Sequence, residues 1–475
     1  MTVNEYFLLA LGIKFINAFA LSLILLALYT WLKKAIPVIS LTIIFALIAY
    51  ILYISIPANA KINTLHFINP IHGFDAYNLI RTYQNINIFG KPVESLFVWL
   101  AVCLLVIILS SILIIKQFKT AAIIRPAFTW SKAEKFKDKM RKQFDQLNTH
   151  GGVFAAEFRK SLFANKALLI LIILALFLTY RVRSSYQYSD SKQLAYNYYI
   201  DKFSGPVTAE TLDEIDQEYE LISQAKSLQD LKQEALSEVE SQAQRVLDLE
   251  AKSSIKAYLI NDLSYARAMD NPSKDLQDVM LVFLITIIIA SGLFAKENEV
   301  DTKRLIRISP AHKSLRASKL SISIIYALII GAMVEISRVL ILKKFNDYEY
   351  LNAAIQNHLG CEDFPFAWSF RQYFIAMLLF RFAAYISLAF LISLISAYAK
   401  SESIAVIIAT CVSLIPALAL YLNIRVLEKL SLAWVAQANT LLQAPVATWL
   451  WAIVLLLGIC LLSYFAIRKE WQPQR

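Results

Sequence analysis

Hydrophobic and polar residues alternate along this chain in long blocks. Nine runs dominated by Leu, Ile, Val, Phe and Ala stand at 6–32, 36–56, 95–115, 167–182, 278–295, 319–342, 372–398, 403–422 and 447–467. Charged segments separate them. Crossing roughly 30 Å of hydrocarbon as a helix takes about 20 apolar residues. The pattern therefore predicts an all-α polytopic membrane protein with about nine transmembrane helices. The fourth run is the shortest, and Lys166 and Arg181 stand where they can snorkel at its ends. The first run follows the head MTVNEY, which has no basic stretch, and no small-residue cleavage site follows. It reads as a retained span and not as a signal peptide.

The polar blocks carry the rest of the information. Residues 116–166 hold 12 Lys/Arg against 4 Asp/Glu, whereas 184–277 hold 9 against 17. Excess basic residues mark the cytosolic side of membrane spans. With Lys33, Lys34, Lys400, Arg468 and Lys469 on that side too, the N-terminus lies outside and the C-terminus inside. In the basic segment, Trp130–Leu147 reads as a charged surface helix that Gly151-Gly152 ends. Val153–Ala164 then places Phe154, Phe158 and Leu162 opposite Glu157, Arg159 and Lys160. That is either an amphipathic helix lying in the headgroup layer or a plain extension of the next span. Residues 183–277 form an extracytoplasmic insert. Gly205-Pro206 marks a turn, and Thr211 and Ser227 open cap-like tetrads ending in Glu214 and Asp230. Leu212, Ile215, Tyr219 and Ile222, then Leu228, Leu231, Ala235 and Val239, follow helical spacing. The insert reads as two or three helices that fold back on themselves, or as a free coiled coil.

An internal repeat organises the spans. Tyr6–Lys33 lies over Tyr373–Lys400 without a gap, pairing Phe15 with Phe382, Lys14 with Arg381 and Lys33 with Lys400. Trp99–Lys116 likewise lies over Trp451–Arg468. Spans one to three thus repeat spans seven to nine as parallel copies, and spans four to six have no counterpart upstream. The outer loops of the copies, Pro57–Glu94 and Asn423–Val446, differ in length. The first contains Phe67-Ile-Asn-Pro70 and a possible short interfacial helix at Tyr77–Tyr83. Each loop has room to dip into the bilayer. The organisation is then a three-span segment (1–118), a cytosolic linker with an amphipathic helix (119–166), a six-span domain (167–469) containing the insert (183–277), and a short cytosolic tail (470–475).

Composition removes some function classes. Of the 475 residues, 58% are hydrophobic, and the formal net charge is +11. The basic excess sits at span ends, which makes nucleic acid a poor partner and the lipid bilayer the expected one. Cys103, Cys411 and Cys460 lie in apolar runs and Cys361 in a loop, so neither a disulfide framework nor a CxxC metal site is indicated. No constellation of catalytic or metal-ligating residues stands out, no phosphate loop is present, and no cofactor is expected to bind directly.

The segment Ala295–Lys319, between spans five and six, is short and basic. It is either a passive cytosolic turn or a docking surface. With Glu157-Phe-Arg-Lys160 before a span, and Glu297 or Glu299, Leu305, Pro310, Arg316 and Lys319 around this loop, residues 153–469 resemble one half of a type-2 ABC exporter permease. Such a half has six spans, an amphipathic helix before the first and a variable external domain after it. Its second and third spans are joined by a cytosolic loop, and an external re-entrant segment lies between the last two. Where that family usually has a glycine near Asp301, this chain has none. The resemblance implies an exporter subunit, not itself an enzyme, in a bacterial plasma membrane. Its partners would be an ABC ATPase subunit, which uses the ATP, and a second permease chain, identical or different. The coupling helix would lie in Asp301–Ser314, with Leu305, Ile306 and Ile308 as apolar anchors and Arg304 and Arg307 at the rim. Aromatic-rich spans suit a peptide or lipid-like cargo, although aromatics serve equally as interface belts.

Charges inside spans are functional candidates by default. Glu335 and Arg381 stand at matching depth in spans six and seven and are expected to pair; a local Glu335–Arg338 pair is the rival. Two other classes remain open. A secondary transporter would need several midplane carboxylates, of which Glu335 alone is clear. A membrane sensor or scaffold would use the insert for recognition.

Overall fold

A computed structural model describes residues 3–32, 64–81, 85–88, 91–120, 152–164, 167–185, 191–224, 229–253, 255–269, 272–300, 302–345, 348–421 and 428–472, with positions 38, 42, 45, 46, 49, 53 and 424. The chain is a helical multi-pass membrane protein. Among the described residues, seven helices are long and apolar enough to cross a membrane. A further helix pair, bent by 59°, brings the number to eight when counted as one span. Nine spans were expected; the run at 36–56 lies outside the described residues except for the isolated positions above. The surface helix expected at Trp130–Leu147 lies wholly outside them. The chain divides into two compact units, Met1–His150 and Gly151–Arg475.

In the first unit, α1 (Val3–Leu32) packs along α5 (Ser95–Thr120). Between them come α2 (Thr64–Phe67), α3 (Pro70–Phe74), α4 (Ala76–Arg81) and a hairpin of β1 (Asn85–Ile88) and β2 (Lys91–Glu94). The short helix expected over Tyr77–Tyr83 is α4, one residue earlier at its start. Asn69 caps α3, its side chain accepting from Ile71 N at 2.9 Å. Asn17 of α1 donates to Pro70 O at 2.8 Å and holds the loop against the long helix.

The second unit begins with α6 (Val153–Arg159), which runs through a π-helical turn (Lys160–Ala164) towards α7 (Ala167–Ser184). The 59° bend falls at the break between Phe163 and Ala167. The insert contains α8 (Ser191–Phe203), α9 (Ala209–Gln224), α10 (Gln229–Lys252) and α11 (Asp262–Met269). The first three bury Tyr196, Ile200, Ile215, Leu236 and Val239 in a core of their own. It is a packed helical domain and not a free coiled coil. Helix α9 opens two residues before Thr211, whose Oγ accepts from Thr208 N at 3.1 Å, so Thr211 caps from inside the first turn. Gly205-Pro206, expected as a turn, is a short strand, β3, paired with β4 (Tyr258–Leu259). Gly205 makes this possible at φ +130°, a conformation closed to residues with a Cβ.

Five long elements follow. The fifth span is broken: α12 (Pro272–Ala290) gives way to α13 (Gly292–Glu299). Ser396 fills the break, with its hydroxyl donating to Ser291 O and accepting from Phe294 N and Ala295 N. After α14 (Lys303–Ile308) comes α15 (His312–Phe345), a 34-residue helix, and then α16 (Phe370–Tyr398), opened by a capping box of Ser369 and Gln372. Gly331 lets α15 and α16 approach, since a Cβ there would lie 2.6 Å from the Tyr385 ring. Then α17 (Glu402–Ala409) passes through a π-helical turn (Thr410–Leu414) into α18 (Ile415–Tyr421). Two buried short helices, α19 (Leu432–Ala436) and α20 (Ala438–Leu442), lead to α21 (Val446–Glu470), which packs along α16.

The repeat overlay set Tyr6–Lys33 against Tyr373–Lys400, and these stretches lie in α1 and α16. The loops add a correspondence that sequence did not reveal. In both copies a five-residue helix carries an N-cap side chain that accepts from the second following amide, Asn69 in one and Ser431 in the other. In both, the helix ends at a kink of matching geometry: Asp75 at φ −86°, ψ 56° and Gln437 at φ −74°, ψ 59°. A second short helix follows each kink. The overlay of the last spans needs correcting by one residue. It paired Trp99, 1% exposed, with Trp451, 44% exposed. Moving it on by one sets Trp99, Cys103 and Ser110 against Ala452, Leu456 and Ser463, all buried.

Residues 348–369, which the sequence reading passed over, tie the insert down. Asn357 accepts from Tyr258 N at 3.0 Å, and Arg245 bridges Asp262 (2.8 Å) and Glu362 (2.6 Å). Burial is the largest influence on Glu362 and pushes its carboxyl upward. Backbone amides and the Arg245 guanidinium together outweigh it and hold the carboxyl below its ordinary 4.5. A depressed carboxyl contributes stability that is present above pH 4.5 and fades as pH falls through the folded-state value. Glu362→Gln should therefore remove part of the acid sensitivity of amide-exchange protection in α10. An unchanged pH profile would exclude this tether as its source.

Candidate functional site

The loop between the fifth and sixth spans is built as an anchored helix with two free apolar side chains. In KRLIRI, Lys303 and Arg307 stand one turn apart and face the end of α21. Lys303 Nζ lies 2.6 Å and Arg307 Nη2 3.0 Å from Glu470 Oε1, and Arg307 also donates to the Glu470 carbonyl. Lys303 reaches Ala397 O at 3.3 Å, and its ammonium lies 5.9 Å from the centre of the buried Trp471 ring. Ile306 packs inward against the core. Leu305 and Ile308 point away, 67% and 77% exposed. The expectation placed Arg307 at the rim and Ile306 among the docking anchors. Both are corrected, because Glu470 and the core claim them. Arg304 lies within α14, and Pro310 is exposed in the turn after it. Asp301 falls outside the described residues.

A charge cluster centres on the buried side chains of Glu297 and Lys319. Lys319, 1% exposed, approaches Glu297 Oε1 at 2.6 Å and Glu157 Oε2 at 3.2 Å, and donates to Leu293 O. Lys160 reaches the same Glu297 oxygen at 3.2 Å and Glu157 at 3.7 Å. Two carboxylates and two ammonium groups from α6, its π-helical turn, α13 and α15 thus meet at one point. Glu299 sits apart, exposed, accepting from Glu402 N at 3.4 Å, while Lys296 pairs with Glu402 at 3.3 Å. Arg316 donates to Arg468 O at 3.4 Å. Asn298 was missed. It donates to Ala397 O (3.0 Å) and Ala399 O (2.8 Å) at the end of α16, a role that a lone polar residue in a basic loop does not announce. Helix α6 is held to α15 by Ser161 and Tyr326, whose hydroxyls lie 2.6 Å apart, and by the stacked rings of Phe158 and Tyr326.

A second charge system lies within the spans. Arg381 Nη1 donates to Glu335 Oε2 at 2.9 Å, and Nη2 to Asp275 Oδ2 at 2.8 Å. Asp275 Oδ1 takes Arg338 at 2.7 Å. The order is Arg338–Asp275–Arg381–Glu335, alternating in sign and neutral in sum. The expected Glu335–Arg381 contact is present. The local rival is not, because Arg338 turns to Asp275 and to Ala268 O at 2.7 Å. Asp275 went unread because the span was started at residue 278. The helix begins at Pro272, a favoured first-turn residue, so Asp275 and Asp278 fall inside it and are buried. Asp278 pairs with Arg181, whose guanidinium therefore does not reach out alone to the interface.

Comparison with family models, curated proteins and solved structures returns no match. The reading of the site accordingly rests on its geometry and on the sequence resemblance above.

Proposed function

We propose that this chain is the membrane-spanning permease subunit of an ABC-type exporter, with ATP hydrolysed by a separate subunit that docks on α14 at the cytosolic side. The observation that carries the reading is the contrast within that six-residue helix. Lys303, Arg307 and Ile306 are engaged by this chain, while Leu305 and Ile308 project 67% and 77% exposed. A passive turn has no need to fix an apolar pair outward on a rigidly held helix. Lone exposed apolar residues are common, but a neighbouring pair at i and i+3 on a short helix suits an apolar groove in a partner. Movement of a docked ATPase would then reach α13 and α15 through α14 and the Glu157–Lys160–Glu297–Lys319 cluster. The bilayer is that of the bacterial cell, with the insert outside. A second permease chain completes the transport path, and a peptide or lipid-like cargo fits the aromatic-rich spans.

The test is co-purification of a nucleotide-binding subunit with the full chain from its native membranes. Leu305→Asp with Ile308→Asp should reduce the bound ATPase at least tenfold. Because both side chains are exposed, the change in stability should stay within roughly 0.5 kcal/mol. Wild-type chain that retains no ATPase, or a double variant that retains it fully, would sink the proposal.

A further inference from the structure

Lys14 is a cation inside a span. It stands eleven residues after Val3, the first described residue of α1, or about 16 Å along the helix. Its side chain is exposed, and among the described residues no hydrogen bond or ion pair reaches it. Residues 6–63 contain no Asp or Glu at all. A lone ammonium at that depth is costly.

The second copy shows how the same position is satisfied. Arg381 stands eleven residues after Phe370, the first residue of α16, and is matched by Glu335 of α15 and Asp275 of α12. The comparison extends to both faces of the helix. Asn17 and Ala20, like their counterparts Ala384 and Ser387, are buried; Ser387 reaches Leu456 O of α21 at 3.4 Å. On the other face the copies part. Arg381, Tyr385 and Ile392 are buried and Phe374 packs against the core, whereas Lys14, Ala18, Leu25 and Phe7 are exposed. The exposed stripe of α1 is thus the face that α16 lays against helices whose repeats are missing from residues 1–150.

From this we infer that the stripe Phe7–Lys14–Ala18–Leu25 is a docking surface within the membrane for another membrane protein, whose span carries a carboxylate at the depth of Lys14. Charge complementarity selects that occupant. A second copy of this chain fits less well, since its Glu335 and Asp275 already serve Arg381 and Arg338. The inference rests on the internal repeat and stands or falls separately from ATPase docking.

Site-specific photo-crosslinking in native membranes tests it. The full chain would carry p-benzoylphenylalanine in place of Ala18 and, as a control, in place of Leu8, which is exposed as is its counterpart Ile375. The expected result is a crosslink from position 18, absent from position 8, to a span of a different polypeptide that contains an Asp or Glu. Lys14→Glu should weaken it at least tenfold, and reversing that carboxylate to lysine in the partner should restore it. Lys14→Leu, which removes the charge and keeps the helix apolar, should weaken it as well. Four outcomes would overturn the inference: crosslinks to lipid alone, crosslinks to a second copy or to the other unit of this chain, a partner span without a carboxylate, or a crosslink indifferent to Lys14.

Discussion

Replacing Arg381 by leucine is expected to destabilise the second unit by about 3–5 kcal/mol, the usual consequence of stranding a buried partner charge. Arg381 is 2% exposed and is shared by two buried carboxylates, Glu335 and Asp275. Its loss leaves Glu335 with only a 3.5 Å contact from the Tyr385 hydroxyl. Asp275 fares better because Arg338 still holds its other oxygen at 2.7 Å. That asymmetry predicts the rescue. Adding Glu335→Leu to Arg381→Leu removes the stranded charge and should recover more than about 1 kcal/mol, a coupling in the range expected for contacting residues. Thermal unfolding of the detergent-purified chain measures it. A double variant no more stable than Arg381→Leu alone would show that the two residues do not act as a pair. Simple charge reversal at 335 and 381 is a weaker design, since a new acid at 381 would face Asp275.

Lys319→Met should cost a similar amount, about 3 kcal/mol or more, for the same reason. Lys160→Met should cost about 1 kcal/mol or less. Both lysines touch Glu157 and Glu297, but the Lys319 side chain is 1% exposed and that of Lys160 is 46% exposed. Water can replace Lys160 and cannot replace Lys319. Equal losses in thermal stability for the two variants would mean that the cluster is not organised around Lys319. Because the cluster joins α6 to α13 and α15, protease sensitivity at 152–164 should rise with Lys319→Met even when the detergent-bound helices stay folded.

Long apolar runs announced the spans because the bilayer leaves the backbone few alternatives. Boundaries were harder. Pro272 and Lys274 look like a polar approach to a span starting at residue 278, yet they begin the helix, and the buried carboxylate of Asp275 was thereby placed outside it. The pairing of Glu335 with Arg381 was legible because both interrupt otherwise apolar runs at similar depth. The role of Asp275 was not, because its partners lie 63 or more positions away and no local pattern marks them. Likewise, Glu157, Lys160, Glu297 and Lys319 could be picked out one by one through the resemblance, but nothing in their spacing says that they meet. In α14 the sequence identified the helix and its apolar side chains. Which of them faced outward depended on Glu470, more than 160 residues later. The kinked helix pairs at Asp75 and Gln437 were invisible to an overlay that relied on identity, since cap and kink recur with different residues.

Helix α15 runs uninterrupted for 34 residues, about 50 Å at the usual rise. Its fastenings include Lys319 near its start, Glu335 about two-thirds of the way along, and Lys344 at its end, where the ammonium meets the carbonyls of Val182, Arg183 and Ser185. A rod held in this way cannot bend easily between its fastenings. A tilt imposed at the Lys319 end becomes a lateral displacement at the Lys344 end, with the Glu335 fastening as fulcrum. The gearing of such a lever is set by where the fulcrum lies. Sliding the charge pair by one turn along α15 and α16 would therefore change the ratio of the two strokes without altering either end.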